Sequence, residues 1–148
     1  MTSWREGTSE AAQQALDKLA NVCLELAERQ LEQDGTFFPY AIGMESDGEI
    51  QLIMADPVEV GKEPDVEGVV RACRNGVAAR SADLQAAALV LDVTVPEISS
   101  DAVRLELQHA EGTDLTVYMP YTNDGRSVQF GQMQVQPGGD AGLERASA

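Results

Sequence analysis

The order of periodic segments predicts an α+β domain in which two helices pack on a mostly antiparallel sheet of five to six strands, in the order αββαββββ. Three observations carry this. Apolar residues recur at three- and four-residue spacing in two segments, they alternate with period two in the others, and short turns rich in Gly, Asp and Asn join consecutive alternating segments. Short turns make neighbouring strands antiparallel, so both helices are expected on one face of the sheet.

Residues 1–8 show no period and are expected to form a flexible N-terminus, from which Trp4 can fold back onto the domain. From Ser9 to Gln33, Ala12, Leu16, Leu19, Ala20, Cys23, Leu26, Ala27 and Leu31 form one helical face. Thr8 or Ser9 can cap its start, and Gly35 can end it in a left-handed conformation. Phe38, Tyr40, Ile42 and Met44 then alternate with their neighbours over a strand from Thr36 to Met44, with Pro39 restricting that end to an edge or a bulge. Ser46-Asp47-Gly48 turns the chain into a return strand, Glu49 to Met54, and the segment from Asp56 to Pro64 reads as a loop.

Asp65 can cap a second helix with the stripe Val66, Val69, Val70, Cys73 and Val77. Gly68 and Gly76 lower its intrinsic propensity, so tertiary packing must hold it. Gln85 to Val95 is apolar on both faces in its first half, as expected of a central strand covered from two sides. After a turn at Pro96 to Asp101, Val103, Leu105, Leu107 and His109 define a strand, Leu115, Val117, Met119 and Tyr121 define the next, and a weaker one spans Ser127 to Gln136. The folded domain is thus read as residues 9–136, with 137–148 a disordered tail.

Composition narrows the function classes. The 148 residues are 43% hydrophobic with a formal net charge of −15, and no apolar run approaches the roughly 20 residues of a membrane span. A negative mean potential repels nucleic acid and anionic lipid, and Arg71, Arg74 and Arg80 form the sole basic cluster, so neither nucleic acid nor membrane is an expected partner. The first ten residues lack the basic-then-apolar layout of a secretory signal, which leaves the cytoplasm as the expected compartment. Cys23 and Cys73 fall on helix stripes and read as buried thiols.

Chemistry-bearing patterns are sparse. The chain holds one histidine, His109, far in sequence from either cysteine, and lacks the close ligand pairs of a zinc site; neither metal nor cofactor is expected. His109-Ala110-Glu111 matches a deaminase fragment by chance, because its Pro-Cys-x-x-Cys counterpart is absent. There is neither a Gly-x-Ser-x-Gly turn nor a phosphate-binding glycine loop, so no catalytic residue is assigned. Asp92, which interrupts an apolar strand, and Glu106, on its neighbour, form the carboxylate pair to inspect, with Arg104 as counter-charge. A cross-strand ion pair accounts for the same pattern.

Two short segments, Phe37-Phe38-Pro39-Tyr40 and Tyr118-Met119-Pro120-Tyr121, hold most of the few aromatics beside prolines. Phe37, Phe38 and Tyr118 are accordingly candidate contact residues at a sheet edge. Asp34-Gly35-Thr36-Phe37-Phe38-Pro39-Tyr40-Ala41 after a long helix, with Tyr118 to Tyr121 near the end, resembles small uncharacterised bacterial proteins of this length. The element order is also similar to profilin-like domains of the roadblock and longin type. Neither resemblance implies an activity or supplies a residue role.

The expectation from sequence is therefore a non-enzymatic protein that works through contacts, as a homodimer or as an accessory or regulatory partner of another protein. One alternative is a small-ligand binder or an enzyme with a pocket near His109, Tyr40 and Tyr121. Another is an acidic, immunity- or chaperone-like protein that neutralises a basic partner.

Overall fold

A computed structural model of the chain describes residues 4–53 and 65–144; the loop expected between Asp56 and Pro64 lies outside these residues. Helix α1 spans Glu10–Asp34. Its first turn is closed by the Ser9 hydroxyl, which accepts from the Ala12 N–H at 3.1 Å. At the far end Gly35, with φ 78°, turns left-handed and donates its N–H to the Leu31 carbonyl. Asn123 Nδ2 donates to that same carbonyl at 3.0 Å, which fixes the helix end to the sheet.

The described residues add a further helix and seven strands: β1 Tyr40–Glu45, β2 Ile50–Ile53, α2 Val66–Ala79, β3 Leu84–Val95, β4 Ser100–His109, β5 Asp114–Asn123, β6 Val128–Phe130 and β7 Gln134–Pro137. They form one sheet in the order β2-β1-β3-β4-β5-β6, with β7 also paired to β5, and every pairing is antiparallel. The expected strand at 127–136 is thus two strands along one edge of β5. The register shifts by one residue between them, opposite Pro120, whose carbonyl accepts from the Gly131 N–H. A residue without an N–H cannot complete a regular ladder, and a bulge forms there.

The expectation of two helices on one face is corrected: they cover opposite faces. Side chains of β3 alternate, so Ala86, Ala88 and Val90 join Leu16, Leu19, Cys23 and Leu31 of α1, while Ala87, Leu89 and Leu91 join Val69, Cys73 and Val77 of α2. The cause is connectivity. β2 and β3 flank β1 and run parallel to each other, so the chain between them must cross over β1, and α2 lies on the side of that crossover, away from α1. Each core reaches near-complete burial, with Leu16, Leu19, Leu89, Leu105 and Val77 at 0–1% exposure. Burial of each such side chain is worth about 1.5–3 kcal/mol.

The short α2 leaves β4 and β5 uncovered on its own face, and the C-terminal segment fills that place. Residues 138–144, expected as part of a disordered tail, are docked instead. Ala141 and Leu143 are buried against the α2-side core. Their N–H groups both donate to Gln108 Oε1, at 3.0 and 2.8 Å, and the Asp140 N–H donates to Glu106 Oε1 at 3.1 Å. Thr116 Oγ1 donates to the Gly138 carbonyl at 2.6 Å, and Arg74 Nε to that of Asp140 at 2.8 Å. Gly142 has φ 92°, and a Cβ there would overlap the Arg74 backbone, so no larger residue fits this crossing. The N-terminus is also packed from Trp4 onward: Trp4 joins the α1-side core, and Arg5 bridges to Asp17 at 2.8 Å.

Gln108 serves two buried donors with one oxygen, so Gln108→Ala leaves both without an acceptor. The expected loss is about 2–3 kcal/mol in urea unfolding, with selectively faster hydrogen exchange at Ala141 and Leu143. Uniform exchange across the whole sheet would show instead that the segment is not held by this side chain.

Candidate binding cleft

Tyr40 opens β1 opposite Val90, whereas β3 continues to Val95. From Leu91 onward, no described strand pairs with β3 on the β1 side, although β4 pairs with it on the other side throughout. This mismatch has a local cause. Gly35 has just ended α1, and Pro39, which has no N–H to donate, immediately precedes β1; residues 36–39 therefore cross the sheet end as irregular chain rather than as the strand expected from Thr36. A cleft of about 440 Å³ opens at this end, lined among the described residues by Gln30 and Asp34 of α1, Phe37 and Phe38 of the connection, Val66 of α2 and residues 91–93 of β3.

The walls are apolar and the base is rich in acceptors. Phe38 is 58% exposed and Val66 54%, so two uncovered apolar side chains meet at one concave surface. Phe37 is held by a tilted ring contact with Tyr40, centroids 5.5 Å apart. Asp92 projects on the α1 side, where its Oδ1 accepts from the Tyr121 hydroxyl at 2.6 Å and its Oδ2 from Thr36 Oγ1 at 2.8 Å. Gln30 has a buried Oε1 with no hydrogen-bond partner among the described residues.

Of the residues singled out from sequence, Phe37 and Phe38 line this cleft, and Tyr40 and Tyr121 stand directly behind it through Phe37 and Asp92. His109 does not belong with them. Tyr121 pairs with Asp101, eight residues along β4 from His109, a separation of about 27 Å at strand spacing. His109 is 4% exposed, and its Nδ1 accepts from the Glu111 N–H at 3.1 Å. Tyr118 lies on the α2 side, beneath the Arg104 guanidinium at 5.6 Å from the ring centroid. The proposed Asp92–Glu106 pair is also corrected, since alternation turns Asp92 toward α1 and Glu106 toward α2. Glu106 instead bridges Arg74 at 3.1 Å and Arg104 at 3.8 Å. Nothing in local sequence marks Gln30 and Asp34; their place follows from where α1 ends.

Two further groups bear on chemistry. The oxygens of Glu45, Asp47 and Glu49 at the first hairpin lie within 4.8 Å of one another. Glu45 already pairs with Arg80 at 3.3 Å, and Asp47 accepts from the Glu49 N–H. The thiols lie on opposite faces, Cys23 under α1 and Cys73 under α2, which rules out a bond between them. Burial raises the Cys23 thiol far above its ordinary range and pushes that of Cys73 up to about 11, so neither is a ready nucleophile. No helix among the described residues is long and apolar enough to cross a membrane. No family model matches the chain, and neither a curated protein nor a solved structure matches it.

The tyrosines behind the cleft make stability fall in alkali. Burial, and then the Asp92 carboxylate, raise the Tyr121 hydroxyl above its usual 10.0; burial does the same for Tyr40. A group whose folded pKa is raised contributes stability that is complete below its unfolded pKa and is lost as pH rises. Unfolding free energy is therefore expected to decline from about pH 9 upward, as the cysteines and tyrosines of the unfolded chain ionise. Tyr121→Phe keeps the ring, lowers stability at pH 7 by about 1–3 kcal/mol and flattens the alkaline decline. An unchanged slope in pH-dependent urea titrations would contradict the assignment.

Proposed function

We propose that the protein works by binding another polypeptide, a partner or a second copy of itself, through the cleft at the open end of β3. The observation that carries this reading is the exposure of Phe38 and Val66 on the walls of a cleft that also presents a stretch of strand edge with no strand partner among the described residues. Large apolar side chains left uncovered beside a concave surface are the usual anchors of a protein interface. A strand edge adds main-chain donors and acceptors that a polypeptide can satisfy. The dispersal of His109, Tyr40 and Tyr121 along the sheet gives no comparable support to a small-molecule pocket among those three residues. An accessory or regulatory role fits a site that offers contacts and no assembled nucleophile and base.

The test is site-specific photocrosslinking. A benzoylphenylalanine at position 38 is expected to give one discrete covalent adduct in cells, with a second copy or with a single other protein. The same probe at Glu25, on the exposed side of α1, should give none. Equal, diffuse labelling from both positions, or none from position 38, would overturn the reading. Phe38→Asp is expected to leave thermal stability within about 0.5 kcal/mol, as for other exposed positions, while abolishing the adduct formed by a probe placed at Val66.

A further inference from the structure

We infer that the occupant of the cleft is an extended, basic segment of a partner protein, added as a strand along Leu91–Val95, with one cationic side chain set between two apolar ones. This rests on the contact reading above and names the class of partner. Three features fix the pattern. First, beyond Val90 the β1-side edge of β3 has no described strand partner, so an incoming strand can complete the ladder that β1 leaves unfinished.

Second, successive side chains of that strand must face opposite sides, in step with β3. On the α2 side they meet Leu91, Val93 and the exposed Val66; on the α1 side they meet Asp92, with Asp34 and Gln30 beyond it. The charged groups on this second side are two carboxylates, Asp34 and Asp92, which act only as acceptors. Asp92 already accepts two hydroxyls, one per oxygen, and each oxygen retains capacity for another donor. A guanidinium or ammonium supplies such donors, and the exposed ring of Phe38 offers a face on which a guanidinium can stack.

Third, the formal net charge of −15 favours encounter with a basic segment over an acidic one. Of the three arginines at α2, Arg74 is engaged by Glu106 and Asp140, and Arg80, just past the end of the helix, by Glu45.

The experiment is an amide-resolved NMR titration of the full chain with two capped pentapeptides, acetyl-Thr-Val-Arg-Val-Thr-amide and the same peptide with Glu in place of Arg. The Arg peptide is expected to shift amides of residues 36–38, 66 and 91–95, to slow hydrogen exchange along 91–95, and to bind at least about fivefold more tightly than the Glu peptide. Asp34→Asn, at an exposed position that supports no part of the core, should weaken the Arg peptide about two- to fivefold and leave the Glu peptide no weaker. Equal affinity of the two peptides at these same amides would overturn the basic occupant and leave the contact reading standing. Shifts centred on Glu45–Glu49 would reduce the effect to general acidity, and absence of any shift while the position-38 crosslinker still yields its adduct would show an occupant of different chemistry.

Discussion

From Ala86 to Leu91, β3 presents buried side chains to both sides of the sheet, and the remaining layers are arranged to meet that demand. A strand with one solvated face would need a single layer of cover. Here Ala86, Ala88 and Val90 require α1, and Ala87, Leu89 and Leu91 require something on the reverse side. The run of alanines lets both helices approach the central strand closely, and the crossover from β2 to β3 delivers α2 to the side α1 does not occupy. Because α2 is short, the same demand extends to the C-terminal segment, which completes the cover with Ala141 and Leu143.

The order and type of the main elements were legible because they depend on local period and on turn chemistry. The stripe from Ala12 to Leu31 and the stop at Gly35 define α1 to within a residue or two. The two-sided burial of β3 was likewise visible in its composition. What could not be read was pairing. Sequence periodicity does not say that β3 outruns β1 by five residues, and the cleft exists only because of that difference. The docking of 138–144 was hidden for a related reason: its hold comes from side chains of β4, Glu106 and Gln108, which accept its backbone N–H groups, and a segment held in this way needs no period of its own. Likewise, seeing that Asp92 and Glu106 lie on opposite faces required the β3–β4 register, in which Asp92 stands opposite Val103 and Glu106 opposite Leu89.

The charge distribution follows the same division between structure and surface. Glu106 is nearly buried and is surrounded by Arg74, Arg104 and the Asp140 N–H, an arrangement that neutralises it within the α2-side layer. Removing one member of such a set leaves a buried charge uncompensated, which is more costly than the pair is stabilising. Among the described residues no basic side chain lines the cleft, and Asp92 accepts there from two hydroxyls. Basic residues are thus used to settle carboxylates in the layers, and the end of the sheet keeps its acidity.

The placement of one cysteine in each layer gives the protein a built-in pair of opening gauges. Cys23 is fully covered and Cys73 is 1% exposed, so an alkylating reagent reaches either only after the layer above it lifts. Since the sheet separates them, the two modification rates report two distinct events, release of α1 and release of α2. Equal rates would mean that the layers come apart as one cooperative unit, and unequal rates would rank them by local stability.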